Sequence, residues 1–214
     1  MRARAGSPLV SALLIMLTSG QGVAVSLGPG VGDALEKSTK SRTPRVTARP
    51  DSQCPFTFRM PWRVGAATLD RQKMHDGVVT WTYSAPATTV LDVVAYQMSV
   101  PVSRGAVDLA LRRETDARKK SLLTLVRLGL WTDYAVAFDT EQPVVTAHDT
   151  VPGRVVATAF ASGGRRYVAF VYVYALKGTF VSVLITVPEH GWSANRTLAF
   201  PRLLMSELVR QRCA

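Results

Sequence analysis

The sequence predicts an α+β domain: an antiparallel β-sheet flanked by one long central helix and a C-terminal helix. Three observations carry that prediction. Strand-like segments precede and follow a single long helical segment, and a second helical pattern lies near the C-terminus. Gly163-Gly164 and Lys177-Gly178 sit between β-branched and aromatic runs, as tight hairpin turns require. Residues 168–176 are apolar on both alternating faces apart from two tyrosine hydroxyls, the pattern of a central strand packed on each side.

The elements follow in order. Arg2 and Arg4 precede a short apolar run over residues 8–17, and Gly22-Val23-Ala24 supplies small side chains after it. Residues 1–24 therefore read as a secretory signal peptide, and the run is too short for a bilayer-spanning helix. The expectation is an exported protein of the bacterial periplasm or the extracellular space, with no transmembrane segment in the mature chain. Residues 25–53 are rich in Gly, Ser, Thr, Pro and basic side chains and read as a flexible linker. Residues 54–214 read as a single α+β domain.

Within that domain, residues 56–60 alternate as a strand that Pro61 ends, and residues 78–83 form a second strand after the turn signal Asp76-Gly77. A third strand over 89–100 stops at Pro101, and Ser103 is placed to cap a helix over 105–127. Strands are predicted at 134–138, 143–148, 154–161, 165–176 and 179–187. The last three make an antiparallel meander through the two tight turns. Residues 199–212 read as the final helix, with Pro201 in its first turn and Leu204, Leu208 and Gln211 on one side.

Charge and cysteines bound the function. The formal net charge is +11, and removing Arg2 and Arg4 with the signal leaves +9. That balance argues for an acidic partner or surface, or simply for solubility. No nucleic-acid recognition motif accompanies it. Cys54 and Cys213 are the two cysteines, one at each end of the predicted domain. In an oxidising compartment they are expected to form a disulfide, closing a loop of about 160 residues and contributing roughly 4–5 kcal/mol on a chain-entropy model. They are not spaced for disulfide exchange.

The region from Cys54 to Cys213 resembles the PsbP-like fold, which includes the photosystem II extrinsic subunit, the mycobacterial LpqN family and the bacterial envelope protein DcrB. The resemblance rests on an opening strand ending in MPWRV, a helix after the third strand, and the Gly-containing hairpin block VPGRVVATAFASGGRRYVAFVYVYALKGTFVSVLITVP before the C-terminal helix. It implies a PsbP-like sandwich and a mostly non-enzymatic role: binding proteins, assisting assembly or occupying the envelope. No family binding residue carries over to a position here. The chain departs from the lipoprotein members in having no cysteine after its apolar run, so a lipid anchor is not expected.

The candidate chemistries are sparse. His75, His148 and His190 lie on separate segments without metal-ligand spacing, so no metal or other cofactor is expected. Ser162-Gly163-Gly164 reads as a turn and lacks the pattern of a nucleophile elbow. Asp133, Asp139, Glu141 and Asp149 crowd one region, yet nothing sets a catalytic separation. Trp62 and Trp192 both follow strand ends and could line a groove.

A basic cluster (Arg112, Arg113, Arg118, Lys119, Lys120, Arg127) lies on the long helix, where Glu114 and Asp116 can pair with Arg118 and Lys120. The remaining cations read either as a solvated face or as a docking surface, aided by Arg165 and Arg166 at a turn. The partner-binding candidates are Arg112, Arg113, Lys119, Lys120, Arg165 and Arg166. No catalytic residue is assigned. The function expected is an exported, non-enzymatic protein that binds or assists another envelope protein. The alternatives are an envelope-polymer hydrolase using an unidentified carboxylate or histidine, and a small-ligand carrier with a pocket between sheet and helix.

Overall fold

The computed structural model describes residues 58–75, 78–88, 90–98, 104–147, 149–190 and 194–211. Their strands are β1 (Arg63–Val64), β2 (Ala67–His75), β3 (Val78–Ser84), β4 (Val90–Gln97), β5 (Thr132–Glu141), β6 (Val144–Val145), β7 (Thr150–Val151), β8 (Gly153–Ser162), β9 (Arg165–Leu176) and β10 (Thr179–Pro188). Their helices are α1 (Arg104–Arg127) and α2 (Ala194–Arg210). Eight strands form one sheet in the order β1-β2-β3-β4-β10-β9-β8-β5. Each neighbouring pair runs antiparallel.

The two hairpin turns take the predicted form. Gly163 and Gly164 have φ of 57° and 73°, and Lys177 and Gly178 have 50° and 76°. Two consecutive left-handed residues match the right-handed twist of the flanking strands, which explains the demand for glycine here.

The sheet buries both faces, one under each helix. On one face Leu91, Val93, Phe170, Tyr172, Val183 and Ile185 share a cluster with Phe200, Leu204, Met205 and Leu208 of α2. On the other, Phe160, Ala169, Val171, Val173 and Leu184 share a cluster with Val107, Ala110, Leu111, Leu122 and Leu125 of α1. β9 lies between β10 and β8 and feeds both clusters, the physical basis of its unbroken apolar run. The β6–β7 hairpin adds Val144 and Val151 to the α2 side.

Four sequence expectations are corrected. Residues 58–60 are not a strand, although Phe58 and Met60 do pack on the core. The Gln211 side chain takes the place of a strand partner there: it accepts from the Arg59 N–H at 3.0 Å and donates to the Arg59 carbonyl at 2.6 Å. β2 was not expected, because exposed residues 71–74 interrupt any apolar alternation; its backbone is held by pairing with β3. Residues 143–148 do not form one strand, since the chain reverses after β6 with the Thr146 N–H donating to the Asp149 carbonyl at 2.9 Å. α2 starts at Ala194, so Pro201 lies inside the helix rather than in its first turn. Pro201 forgoes one intrahelical donor there, and Thr197, Phe200, Leu204 and Leu208 are buried on either side of it. Cys54, Cys213, Ser103, the Asp76-Gly77 turn and residues 1–53 lie outside the described residues.

Candidate docking surface on the long helix

α1 is 24 residues long, and its buried side chains recur at helical spacing from Val107 to Leu125. That periodicity rotates its charged residues into three different settings. Arg118 faces inward and is 4% exposed. Its Nε donates to Glu114 Oε1 at 2.8 Å and its Nη2 donates to the Tyr96 hydroxyl at 2.7 Å. The guanidinium carbon lies 5.1 Å from the Tyr96 ring centroid. The Tyr96 hydroxyl donates in turn to Glu114. Burial pushes the Tyr96 hydroxyl well above its ordinary range. For Arg118 burial works to lower the pKa, and Tyr96 and Glu114 outweigh it. Arg118 is thus an internal pin between α1 and β4.

The second setting joins α1 to the sheet edge. Lys119 Nζ lies 2.7 Å from both Asp116 Oδ1 and Asp139 Oδ2. Arg154 of β8 lies 2.8 Å from Asp139 Oδ1 and 3.6 Å from Glu141 Oε1, and Arg112 lies 3.3 Å from Glu141. Burial alone would raise the Asp139 carboxyl, but Lys119 and Arg154 hold it below its ordinary range. Asp116 therefore pairs with Lys119, three residues on, and not with Lys120. Asp139 and Glu141 are engaged by cations, an arrangement unlike the separated acid and base of a glycosidase.

The third setting is the outer face. Arg113, Lys120 and Arg127 are exposed and make no ion pair among the described residues. Leu109 and Leu123 share this side and are 50% and 38% exposed. At the C-terminal end Leu128 is also exposed. The Ser162 hydroxyl donates to the Leu130 carbonyl at 3.0 Å, which brings the β8–β9 turn and Arg165 to this end of the helix. Arg166 pairs with Glu189 at 2.7 Å. Of the six predicted binding residues, Arg113, Lys120 and Arg165 are thus uncommitted, whereas Arg112, Lys119 and Arg166 are engaged.

The remaining candidates fall elsewhere. Trp62 is exposed, and Trp192 lies outside the described residues. His190 is exposed, His148 lies outside the described residues, and His75 sits at the end of β2. Ser162 ends β8, immediately before the Gly163-Gly164 turn. A cleft of about 600 Å³ opens beside the first half of α1, with Val107, Asp108 and Leu111 on one wall and Asp149, Pro152 and Arg154 on the other. Sequence reasoning missed one group altogether. Asp92 of β4 is 3% exposed, and its Oδ1 has no hydrogen-bond partner. Burial raises its carboxyl pKa, and Thr82 and Arg71 oppose the shift.

No family model matches the chain, and neither does any curated protein. Among solved structures it is similar to the solution structure of cyanobacterial PsbP (CyanoP) from Synechocystis, at 11% identity and a TM-score of 0.42, over 71% of this chain and 97% of that one. It is also similar to a crystal structure from Bacteroides thetaiotaomicron, at 11% identity and a TM-score of 0.38, over 64% and 44% of the two chains. A Pseudomonas aeruginosa protein of unknown function gives 12% identity and a TM-score of 0.36, over 69% and 99%. The sheet with one central and one C-terminal helix is the α+β arrangement that the sequence predicts. These likenesses concern the fold. No helix among the described residues is long and apolar enough to cross a membrane.

Proposed function

We propose that this is an exported, non-enzymatic protein of the bacterial envelope or extracellular space that binds and assists another protein, and that the outer face of α1 receives an acidic surface of that partner. The observation that supports this reading is the division of the basic cluster. Arg112, Arg118 and Lys119 are engaged by carboxylates of the protein itself, whereas Arg113, Lys120 and Arg127 stand exposed in line with Leu109 and Leu123. Exposed cations contribute little to stability but strongly affect association rate and salt dependence.

The test replaces Arg113, Lys120 and Arg127 with Gln in the exported protein. The variant should melt like the parent and lose a salt-sensitive partner that cross-links to α1 in the parent. Unchanged partner capture at low and moderate salt would refute the reading. The cleft beside α1 favours a second reading, a small-ligand carrier. Native mass spectrometry of protein purified from its host decides that case: a co-purifying small molecule lost on Asp108→Arg, at an exposed position of the cleft wall, supports a carrier, and a bare mass opposes it.

A further inference from the structure

Building on the docking face just described, we infer that its partner presents an acidic amphipathic helix laid along α1, with carboxylates recurring every seventh residue. The uncommitted cations recur at that interval: Arg113, Lys120 and Arg127. Leu109, Asp116 and Leu123 form a second row at the same interval, one turn toward the N-terminus. Seven residues of α-helix advance about 10.5 Å, so the two rows run side by side along the axis with only a slow drift. Leu109 and Leu123 at the ends of one row, with Asp116 between them held by Lys119, beside a row of like charges, are a pattern by which one helix reads another.

The rows are narrow. Asp116 is neutralised by Lys119, and Lys119 and Arg112 on the sheet-edge side are held by Asp139 and Glu141. On the opposite side Arg118 is buried against Glu114 and Tyr96. Among the described side chains of α1 the unpaired cations therefore form a line and not a broad patch. A line of charge fits a rod of opposite charge. Recognition of an anionic membrane surface typically uses a cluster of roughly four to eight Lys or Arg, more than this line supplies. Leu109 and Leu123 are about 21 Å apart along the axis and give the partner two apolar anchor points.

The experiment uses the full-length mature protein and three probes. The first is a labelled synthetic helix with Glu at every seventh position and Leu in the adjacent row. The second is a peptide of identical composition with scrambled spacing. The third is a set of vesicles of phosphatidylglycerol in phosphatidylcholine. Fluorescence anisotropy should show the heptad peptide binding roughly tenfold or more tightly than the scrambled one. That preference should vanish with Arg113→Gln, Lys120→Gln and Arg127→Gln combined, and should weaken with Leu109→Ser and Leu123→Ser. Circular dichroism of each variant confirms that it is folded. Equal binding of the two peptides overturns the inference, as does a cation-dependent retention by vesicles that exceeds the heptad peptide. If the peptides do not discriminate but salt-sensitive capture of a protein through α1 persists, only the helical nature of the partner is refuted and the docking face stands.

Discussion

Replacing Arg118 with Met should destabilise this protein far more than replacing Arg113, five residues earlier on the same helix. Arg118 is 4% exposed and makes two hydrogen bonds, at 2.8 Å to Glu114 and 2.7 Å to Tyr96. Without it, the Glu114 carboxylate remains beside Tyr96 with its side chain 18% exposed and no cation. Breaking a buried pair by removing one partner typically costs about 3–5 kcal/mol, because an uncompensated charge is left behind. For a chain of this length that corresponds to a melting decrease of roughly 6–20 °C. Calorimetry of the parent, Arg118→Met, Arg113→Gln and the double variant Arg118→Met with Glu114→Leu checks the reasoning. The double variant should recover much of the loss, since it removes both buried charges. Arg113→Gln should stay within about 0.5 kcal/mol of the parent. An Arg118→Met variant that melts no lower than Arg113→Gln would refute the assignment of Arg118 as an internal pin.

Further outcomes follow from the same coordinates. Gly153→Ala should cost about 1–3 kcal/mol, because a Cβ there would sit 2.3 Å and 2.6 Å from the buried Tyr174 ring and 2.9 Å from the Gln142 carbonyl. Denaturant unfolding measures the loss, and a Tyr174→Leu background should relieve most of it. Asp92→Asn should stabilise the protein at pH 7. The folded carboxyl has a raised pKa, so its burial is cheapest below the unfolded value of about 3.8 and costs stability as pH rises through the folded pKa. Melting curves should therefore separate in favour of Asn as pH increases from about 4, and parallel curves would sink the argument. Asp139→Asn should act in the opposite direction: the folded pKa is lowered, so the stability it contributes is present above the unfolded value and fades as pH falls toward the folded one. Cys54 and Cys213 should yield no free thiol on mass labelling of denatured, non-reduced exported protein, and reduction should lower the melting temperature.

Local features of the chain were sufficient to read its main architecture. Gly163-Gly164 and Lys177-Gly178 need left-handed backbone, and only a two-residue turn between twisted strands asks for two such residues in succession. The unbroken apolar run of β9 follows from burial on both faces, and the 3.6-residue rhythm of α1 follows from burial on one. Each of these signals lies within a few residues of chain. What lay beyond reading depends on partners distant in sequence. β2 is polar at residues 70–73 and is a strand because β3 pairs with it, while the apolar alternation of residues 56–60 promised a strand where Gln211 supplies the backbone bonds. The basic cluster shows the same limit. In the sequence Arg118 is marked by Glu114 four residues before it, but nothing there says that it is buried while Arg113 is exposed. Their fates differ because helix rotation aims one at Tyr96, 22 residues away on β4, and the other at solvent, and because Lys119 and Arg112 meet carboxylates on a strand that follows the helix. Charge is written into the composition, but whether a charge is free to meet a partner is decided by packing, since only an assembled neighbour can neutralise it.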